Sequence, residues 1–310
     1  MLNGYCVISD YSKDAVKMLE LMGVNLKVSA STTRPNEEEL KKLVQEYDIL
    51  IIGAKEKMTP AVYNCATKLK VLGTLSIGLD HISSEFLHSD RIKVFNCPKS
   101  NVVSVAEHTF GLILALQKKV IEGNQAVLQA KGREGVNGLP HDLFGKKIGV
   151  IGAGKIATEV MNLAQAFHME VSCYTFHPDR HLDIQEKGVK FVALDKLLRE
   201  SDIVTLHIPL SKLSERFMNA QRIAAMKDSA ILINTSREQV MDTAYALEYA
   251  AQHPDFKVGL DIETSDLETF TRTYSNNVLI TPHIAGVSLE AIIRMDTELA
   301  ATVVDFLKLQ

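Results

Sequence analysis

The sequence predicts an α/β protein in which a dinucleotide-binding domain is inserted within a second α/β domain. Strand-like apolar runs alternate with helical patterns along almost the whole chain, which favours parallel sheets covered by helices. A glycine-rich turn between a strand and a helix lies in the middle of the chain, at residues 152–157. A separate α/β pattern precedes that turn, and a long helical pattern follows the last predicted strand.

The predicted strands are short apolar segments bounded by turn residues. Several are apolar throughout, as expected where helices cover both faces of a sheet. In chain order they are residues 5–9, 49–53, 71–75, 94–96, 147–151, 170–174, 203–207, 230–234, 257–261 and 278–281. Helical patterns include residues 37–46, 104–119, 158–167 and 289–309.

The mid-chain position of the glycine turn determines the predicted domain organisation. We expect residues 1–98 and 287–310 to form one domain and residues 99–286 to form the dinucleotide-binding domain. The helix over 104–119 leads into the inserted domain, and the helix over 289–309 returns to the first. Residues 122–142 are polar and rich in glycine, which predicts a mobile or partner-contacting arm and not a core element.

The glycine-rich turn carries the first chemical prediction. An apolar run leads into the sequence GAGKIA, after which an amphipathic stretch begins. This arrangement of strand, turn and helix places a pyrophosphate on the helix N-terminus, where N–H groups and the helix dipole favour anions. Ala157 replaces the third glycine of the motif, at a position that requires only close packing of helix on strand. We therefore predict a Rossmann domain whose contacts to the dinucleotide include Gly152, Gly154, Lys155 and Ile156.

Composition excludes several classes of function. A net charge of −4 provides no basic footprint for nucleic acid. The cysteines are widely spaced without a C-x-x-C pair, which argues against a metal site and against disulfides and suits a reducing cytosol. The N-terminus lacks the features of a signal peptide, and no apolar run is long enough to span a membrane. We therefore expect a cytoplasmic protein that binds no nucleic acid, membrane or metal.

Polar segments that follow three predicted strands carry further chemistry. Arg237 follows the strand over 230–234, an acidic segment from Asp261 to Asp266 follows the next strand, and His283 follows the last. In open α/β sheets, ligands bind outside the carboxyl ends of the strands. An arginine, an acid and a histidine are thus predicted on the side of the sheet that binds the dinucleotide.

Together these segments resemble the D-isomer-specific 2-hydroxyacid dehydrogenase family over nearly the whole chain. The resemblance also includes residues 69–80 (LKVLGTLSIGLD), 104–108 (SVAEH), 201–204 (SDIV) and 207–210 (HIPL). It implies a Rossmann dinucleotide-binding domain inserted into a split flavodoxin-like substrate domain. It also implies a homodimer formed through residues 104–142.

The resemblance assigns catalytic roles to three residues. Arg237 is the expected substrate anchor, because a guanidinium offers parallel N–H donors to a carboxylate or a 2-oxo oxygen. His283 is the expected general acid–base, because histidine titrates near neutral pH. Asp266, one methylene shorter than the glutamate usual in the family, is expected to orient His283, with Glu263 as the alternative. Glu238 is a departure, because the family commonly has glycine after the arginine.

The resemblance also indicates which residues hold the ligands. Backbone amides near Gly78 are expected to receive the substrate carboxylate, and the expected substrate contacts are Ser76, Ile77, Gly78, Asn101 and Arg237. The expected dinucleotide contacts beyond the glycine turn are Thr175, His177, His207, Pro209, Thr235, Asp261 and Gly286.

The end of the second Rossmann strand bears on the choice between NAD and NADP. NAD-binding domains usually have an acid about 20 residues past the glycines, where it accepts a hydrogen bond from the ribose 2′-hydroxyl. Thr175 stands at that place, and His177 and Arg180 follow it. These features favour NADP, while Asp179 leaves NAD open.

These predictions converge on an NAD(P)-dependent oxidoreductase that interconverts a 2-oxo acid and a D-2-hydroxy acid. By resemblance, the candidate substrates are hydroxypyruvate, glyoxylate, 3-phosphoglycerate and pyruvate. Two alternatives use the same fold. One is a dinucleotide-sensing protein similar to corepressors, and the other is a dehydrogenase of the formate or phosphite type.

Overall fold

The structure, a computed structural model, describes residues 1–262 and 277–309. The chain divides into two compact units, one formed by Met1–Asn101 with Val287–Gln310 and the other by Val102–Gly286. The sequence had placed the two boundaries after residues 98 and 286. Of the helices that the structure describes, none combines the length and apolar character needed to cross a bilayer.

The first unit contains a five-stranded parallel sheet in the order β2-β1-β3-β4-β5. This is the strand order of flavodoxin-like folds, as the sequence predicted. The strands are β1 (Leu2–Cys6), β2 (Val24–Val28), β3 (Ile49–Ile52), β4 (Val71–Thr74) and β5 (Lys93–Phe95). The helices are α1 (Lys13–Glu20), α2 (Glu37–Glu46), α3 (Pro60–Cys65), α4 (Ser84–Leu87) and, near the end of the chain, α12 (Leu289–Lys308).

Helices cover both faces of this sheet, which explains why its central strand is apolar throughout. Every residue of β3 is buried. Leu19 of α1 and Leu299 of α12 pack in the core on one face, whereas Leu40 of α2 and Phe86 of α4 pack in the core on the other. The return helix predicted over 289–309 therefore completes the first unit.

The second unit contains a seven-stranded parallel sheet in the order β12-β11-β10-β9-β6-β7-β8. Counted from the first strand of the unit, the order is 3-2-1-4-5-6 with one further strand, which is the Rossmann order. The strands are β6 (Lys147–Ile151), β7 (Glu170–Tyr174), β8 (Lys190–Phe191), β9 (Ile203–Leu206), β10 (Ile231–Asn234), β11 (Lys257–Asp261) and β12 (Val278–Thr281). The helices are α5 (Val102–Gln117), α6 (Val120–Leu128), α7 (Lys155–Ala166), α8 (Leu182–Glu186), α9 (Leu194–Glu200), α10 (Ala220–Ala224) and α11 (Thr243–Gln252).

Two hydrophobic clusters lie on the two faces of the second sheet. Ile113 of α5 and Val160 of α7 are buried in one cluster, and Leu197 of α9 and Ala246 of α11 are buried in the other. The parallel α/β fold class predicted from the alternating pattern is confirmed for both units.

The structure differs from the sequence predictions in three elements. β2 and β8 were not predicted: β2 alternates polar and apolar residues and so lies outside the continuous apolar runs, and β8 spans only two residues. The prediction that residues 122–142 form no core element is wrong for their first part, which belongs to α6. There Glu122 is buried, pairs with Lys119 and accepts a hydrogen bond from the backbone N–H of Asn137 at 2.6 Å. A buried carboxylate with two partners orders a stretch that its glycines alone made look irregular.

Candidate functional site

The glycine-rich turn lies where the strand order of the second sheet reverses. It leaves the carboxyl end of β6, the strand between β7 and β9. Gly152 has a φ of 113°, and a Cβ atom there would lie 2.4 Å from the carbonyl oxygen of His207. Only glycine fits, because the backbone conformation and the approach of the neighbouring loop both exclude a side chain. The turn therefore borders the crevice at which open α/β sheets bind ligands.

Gly154 is the N-cap of the twelve-residue helix α7 and leaves space around the helix N-terminus. A Cβ atom on Gly154 would meet no atom within 4 Å, so no side chain competes with a ligand there. Lys155 and Ile156 occupy the first turn, whose N–H groups lack intrahelical acceptors. Ala157 is fully buried, as expected where helix packs on strand. This arrangement fits the pyrophosphate of a dinucleotide.

The residues after β7 occupy the place at which Rossmann domains distinguish NAD from NADP. Thr175 is partly buried at the end of β7, where NAD-binding domains carry an acid. His177, Asp179 and Arg180 follow it and are exposed. No carboxylate occupies the position of Thr175 itself, so repulsion of a 2′-phosphate at that position is absent.

His207 and Pro209 lie in the loop after β9, beside the glycine turn. The N–H of His207 donates to the carbonyl of Ile151 at 2.8 Å, and its ring Nε2 lies 2.9 Å from the hydroxyl of Thr205. Burial lowers the pKa of His207 to about 3. The ring is therefore neutral at physiological pH and can contact a dinucleotide only as a neutral group.

Arg237, Asp261 and His283 lie at the carboxyl ends of three adjacent strands, with Asp261 as the last residue of β11. β10, β11 and β12 are parallel neighbours, with Asn234 in register with Leu260 and Asp261 in register with Thr281. Their carboxyl ends therefore lie side by side. Because neighbouring strands are about 4.8 Å apart, the loops that carry Arg237 and His283 begin about 10 Å apart.

Asn234 shapes the turn that carries Arg237. The buried Oδ1 of Asn234 accepts hydrogen bonds from the N–H of Ser236 at 2.9 Å and from its hydroxyl at 2.7 Å. Nδ2 of Asn234 donates to the carbonyl of Arg237 at 2.9 Å. These bonds fix the backbone leading to the guanidinium, whose side chain is partly buried. The side chain of Thr235 instead packs inward, with its hydroxyl 2.9 Å from that of Thr109 on α5.

Asp261 anchors the loop after β12. It is 2% exposed, and its Oδ1 accepts hydrogen bonds from the hydroxyl of Thr281 at 2.6 Å and the N–H of Ile284 at 2.9 Å. Its Oδ2 accepts a bond from the N–H of Ala285 at 2.8 Å. The resemblance predicted Asp261 as a dinucleotide contact. The structure shows a further role, since the carboxylate binds the loop on both sides of His283.

His283 adopts a backbone conformation that is uncommon for a residue with a side chain. Its φ is 55°, in the left-handed region, and its N–H donates to the carbonyl of Thr281 at 3.0 Å. Such conformations cost of the order of 1–3 kcal/mol and persist only where the surrounding structure enforces them. The bonds to Asp261 supply that constraint. The imidazole itself is exposed, and Gly286 ends the loop.

In the first unit, the carbonyls of the loop over residues 76–78 all accept hydrogen bonds. The carbonyls of Ser76, Ile77 and Gly78 accept bonds from Cys97 N–H at 2.9 Å, Asn96 Nδ2 at 2.7 Å and Ser76 Oγ at 2.8 Å, respectively. Because the C=O and N–H of a trans peptide point in opposite directions, the N–H groups of Ile77 and Gly78 point away from these partners.

Asn101 closes the first segment of the same unit. Its Oδ1 is buried and has no hydrogen-bond partner among the described residues. Buried polar atoms normally have a hydrogen-bond partner. A ligand hydroxyl that donates to Oδ1 of Asn101 would supply one.

The acid predicted to support His283 lies outside the described residues, as does its alternative: both Asp266 and Glu263 fall in the range 263–276. One residue of the site was missed by sequence reasoning. Nε2 of His108 on α5 lies 2.9 Å from the hydroxyl of Thr281 and 3.8 Å from Oδ1 of Asp261. The motif SVAEH contained this histidine, but no local pattern connects α5 with the loop after β12.

Comparisons with known proteins agree with this geometry. Residues 110–285 match the family model described as "D-isomer specific 2-hydroxyacid dehydrogenase, NAD binding domain". The chain is 33% identical over 267 residues to a hydroxypyruvate reductase of Thermotoga maritima, which covers 84% of this chain and 85% of the relative. It spans about half the length of the D-3-phosphoglycerate dehydrogenases that it also matches.

Solved structures show the same similarity in three dimensions. D-lactate dehydrogenase from Aquifex aeolicus, in complex with NAD and lactic acid, superimposes with a TM-score of 0.82 at 30% identity, covering 99% of this chain and 95% of that one. An acyclic imino acid reductase (Bsp5), in complex with NADPH and D-Arg, superimposes with a TM-score of 0.86 at 27% identity, covering 100% and 98%.

Proposed function

The chain belongs to the D-isomer specific 2-hydroxyacid dehydrogenase family, and we propose that it reduces a small 2-oxo acid to the D-2-hydroxy acid. The observation that carries this proposal is the placement of Arg237, Asp261 and His283 at the carboxyl ends of three adjacent strands. The same sheet carries a glycine turn that fits a pyrophosphate. A nicotinamide dinucleotide, when bound, supplies the hydride.

The substrate carboxylate is bound by backbone amides and by Arg237. The N–H groups of Ile77 and Gly78 provide the donors, since the carbonyls of the same two peptides, those of Ser76 and Ile77, already accept hydrogen bonds on the opposite side. The guanidinium of Arg237 provides two parallel donors, which suit a carboxylate or a 2-oxo oxygen. Arg237 thereby orients the carbonyl carbon and polarises its oxygen. The amide of Asn101 is a further substrate contact in this proposal.

His283 transfers the proton. During reduction, its imidazolium donates a proton to the oxygen on C2 as negative charge develops there, and in the reverse direction the neutral ring accepts it. Asp266 is the proposed partner that orients His283, and Glu263 is the alternative. The anchoring of the loop by Asp261 keeps the imidazole at one position relative to the substrate.

The test is oxidation of NADH and NADPH by the purified protein with glyoxylate, hydroxypyruvate, pyruvate, phenylpyruvate and 3-phosphohydroxypyruvate. Arg237→Ala and His283→Asn are each expected to lower kcat/KM at least about 100-fold, because each removes a group that contacts the reacting atoms. Arg199→Ala and His88→Asn change exposed side chains of the same types and serve as matched controls. Equal turnover by Arg237→Ala and wild type contradicts the proposal.

The same assay separates the alternative functions. A dinucleotide sensor binds NADH or NADPH tightly, as measured by fluorescence, yet turns over none of these acids. A formate or phosphite dehydrogenase reduces the oxidised cofactor when formate or phosphite is supplied. Addition of ammonia or an amine with pyruvate detects an imine reductase, which the similarity to the acyclic imino acid reductase makes a useful further comparison.

NADP is the proposed cofactor form. Thr175 replaces the usual acid, and Arg180 and His177 are exposed beside it. Thr175→Asp is expected to raise the preference for NADH over NADPH at least about tenfold, because a carboxylate repels a 2′-phosphate and accepts a bond from a 2′-hydroxyl. Thr67→Asp, an exposed threonine in the first unit, is the control. Unchanged selectivity in Thr175→Asp contradicts this part of the proposal.

A homodimer formed through residues 104–142 is part of the proposal. Val127 and Leu128 at the end of α6 are 69% and 79% exposed, and Leu139 is 75% exposed, which leaves apolar surface for a second copy. Val127→Asp with Leu128→Glu is expected to produce a monomer, as measured by light scattering. A wild-type monomer at micromolar concentration contradicts the proposal.

A cytoplasmic location is also proposed. All four cysteines are free, and Cys6, Cys97 and Cys173 are buried. Free thiols are typical of a reducing compartment. Fractionation of the cells that produce the protein tests this location.

A further inference from the structure

His108 is a partly buried histidine on α5 to which the proposed mechanism gives no role. Its side chain is 22% exposed, and its Nε2 faces Thr281, where the loop that carries His283 begins. Two oxygen atoms lie near Nε2: the hydroxyl oxygen of Thr281 at 2.9 Å and Oδ1 of Asp261 at 3.8 Å. The closer contact, with Thr281, is the hydrogen bond.

The proton of the Thr281 hydroxyl determines the direction of this bond. The carboxylate of Asp261 accepts backbone N–H bonds at both of its oxygens, so it acts as an acceptor throughout. The short distance of 2.6 Å between Thr281 Oγ1 and Asp261 Oδ1 is typical of a hydroxyl that donates to a carboxylate. A hydroxyl has one proton, so Thr281 can only accept from His108. Nε2 of His108 must therefore carry a hydrogen.

We propose that His108 is a positioning residue that donates from Nε2 to Thr281 and thereby fixes the loop carrying His283. The resulting chain runs from His108 through Thr281 to Asp261, and Asp261 then binds Ile284 and Ala285 beyond His283. This inference rests on the proposed function, in which His283 transfers the proton.

The backbone of His283 explains why such a chain is needed. A φ of 55° is unfavourable for a histidine, so the loop relaxes to other conformations unless both of its ends are held. Asp261 holds the far end through two backbone N–H groups, and Thr281 holds the near end. Because Nε2 of His108 carries a hydrogen, it donates to the Thr281 hydroxyl and leaves the hydroxyl proton for Asp261. An Nε2 without a hydrogen would instead accept that proton and compete with Asp261 for it.

The first experiment compares two substitutions of His108 in the full-length protein. His108→Met retains the size of the side chain and removes the donor, whereas the amide nitrogen of His108→Gln can replace Nε2. Loss of one such bond is expected to lower kcat about tenfold in His108→Met. His108→Gln is expected to stay within about twofold of wild type, and the Kd for NADPH is expected to be unchanged in both variants.

The split between kcat and cofactor binding distinguishes positioning from a general structural role. A merely structural role predicts that both variants lose activity and cofactor affinity together, and this result overturns the proposal. Wild-type kcat in His108→Met also overturns it. If either His108 variant fails to fold, Thr281→Val and Thr281→Ser provide a second pair, in which only the serine retains the hydroxyl and is expected to retain kcat.

The second experiment does not depend on activity. Nitrogen-15 NMR of histidine-labelled protein reports which ring nitrogen carries the hydrogen, and the signal absent from His108→Gln assigns His108. An Nε2–H ring supports the proposal, and a ring protonated only at Nδ1 overturns it. If wild type reduces none of the oxo acids, the proposed function fails while the hydrogen-bond chain is still decided by this spectrum.

Discussion

The two units each bury an aspartate to the same extent, and the two carboxylates have opposite surroundings. Asp261 of the second unit and Asp296 of the first are both 2% exposed. Asp261 accepts three hydrogen bonds from the loop after β12. Asp296, on α12, accepts one, from the N–H of Ser12 at 2.8 Å, and its Oδ1 has no partner among the described residues. Equal burial therefore says little about what an acid does.

The difference lies in what compensates the lost hydration. Removing a carboxylate from water is costly unless hydrogen bonds or charges replace the water. At Asp261 the replacement comes from backbone N–H groups and a hydroxyl, and these bonds order a loop of the candidate site. At Asp296 the replacement is incomplete, and burial raises the pKa of the carboxyl to about 6. The first aspartate organises chemistry, whereas the second weakens the fold when it is ionised.

Asp261→Asn is expected to have the largest effect. The amide places an NH₂ group where the carboxylate accepted a bond, so one of the loop donors loses its acceptor and the strained backbone of His283 is released. We expect kcat for the preferred oxo acid to fall roughly 100-fold, about 2.7 kcal/mol in activation free energy. Steady-state kinetics with saturating dinucleotide measures it.

Asp296→Asn serves as the matched control for this experiment, since it makes the same change at an equally buried site. Its kcat is expected to stay within about twofold of wild type, because Asp296 orders no loop of the candidate site. Similar kcat values for the two variants mean that the comparison between the two aspartates is wrong.

Glu56 sharpens the comparison within the first unit. This acid is also 2% exposed, but its Oε1 accepts from Arg34 at 2.9 Å and its Oε2 accepts from the N–H of Gly53 at 2.8 Å. Glu56→Gln is expected to lower the free energy of unfolding by about 2 kcal/mol, because one donor loses its buried acceptor. Urea unfolding measures it. Glu38→Gln, which breaks an exposed pair with Lys41, is expected to cost less than about 0.5 kcal/mol.

If Glu56→Gln stabilises the protein instead, the number of hydrogen bonds that a buried carboxylate accepts does not decide its effect on the stability of this unit. Position in the sheet is then the variable to examine, since Glu56 follows β3 and Asp296 lies on a helix.

Most of the fold was predictable from the sequence because its information is local. Apolar strand-like runs that alternate with helical patterns along the chain indicated parallel sheets. The glycine turn at Gly152 indicated the Rossmann domain. The strand β2 was missed because its sequence, VNLKV, alternates apolar and polar residues, whereas the predicted strands are mostly continuous apolar runs. β8 is only two residues long and exists because it pairs with β7. Pairing of that kind is a tertiary event that no window of sequence contains.

The site was predictable to a smaller extent, because its geometry depends on contacts between distant residues. Arg237 and His283 could be chosen from their places after strands. The anchoring role of Asp261 depends on a loop more than 20 residues further on, and His108 is separated from Thr281 by 173 residues. Asp261 ends a predicted strand and Asp296 lies in a predicted helix, but neither pattern shows which hydrogen-bond donors each carboxylate will meet. The partners of each become visible only in the folded chain.

The stability of the wild-type protein is expected to depend on pH through Asp296. The pKa of this carboxyl is raised from 3.8 to about 6 on folding, so the folded state retains the proton that the unfolded state releases first. The stabilising contribution of the protonated form is complete below pH 3.8 and declines as the pH rises through about 6. The corresponding loss amounts to up to about 3 kcal/mol at pH 7 and above.

Asp296→Asn removes this dependence, since the amide cannot ionise and still offers an oxygen to the N–H of Ser12. We expect the variant to be more stable than wild type by about 1–2 kcal/mol at pH 7.5, with the difference falling towards zero near pH 4. Urea unfolding of both proteins between pH 4 and pH 8 measures the difference. Asp305→Asn, whose side chain is 76% exposed on the same helix, is expected to show a flat difference across this range. If the difference in free energy of unfolding between Asp296→Asn and wild type is also independent of pH, the Asp296 carboxyl has the same pKa in the folded and unfolded states. Its oxygen without a hydrogen-bond partner then does not destabilise the fold.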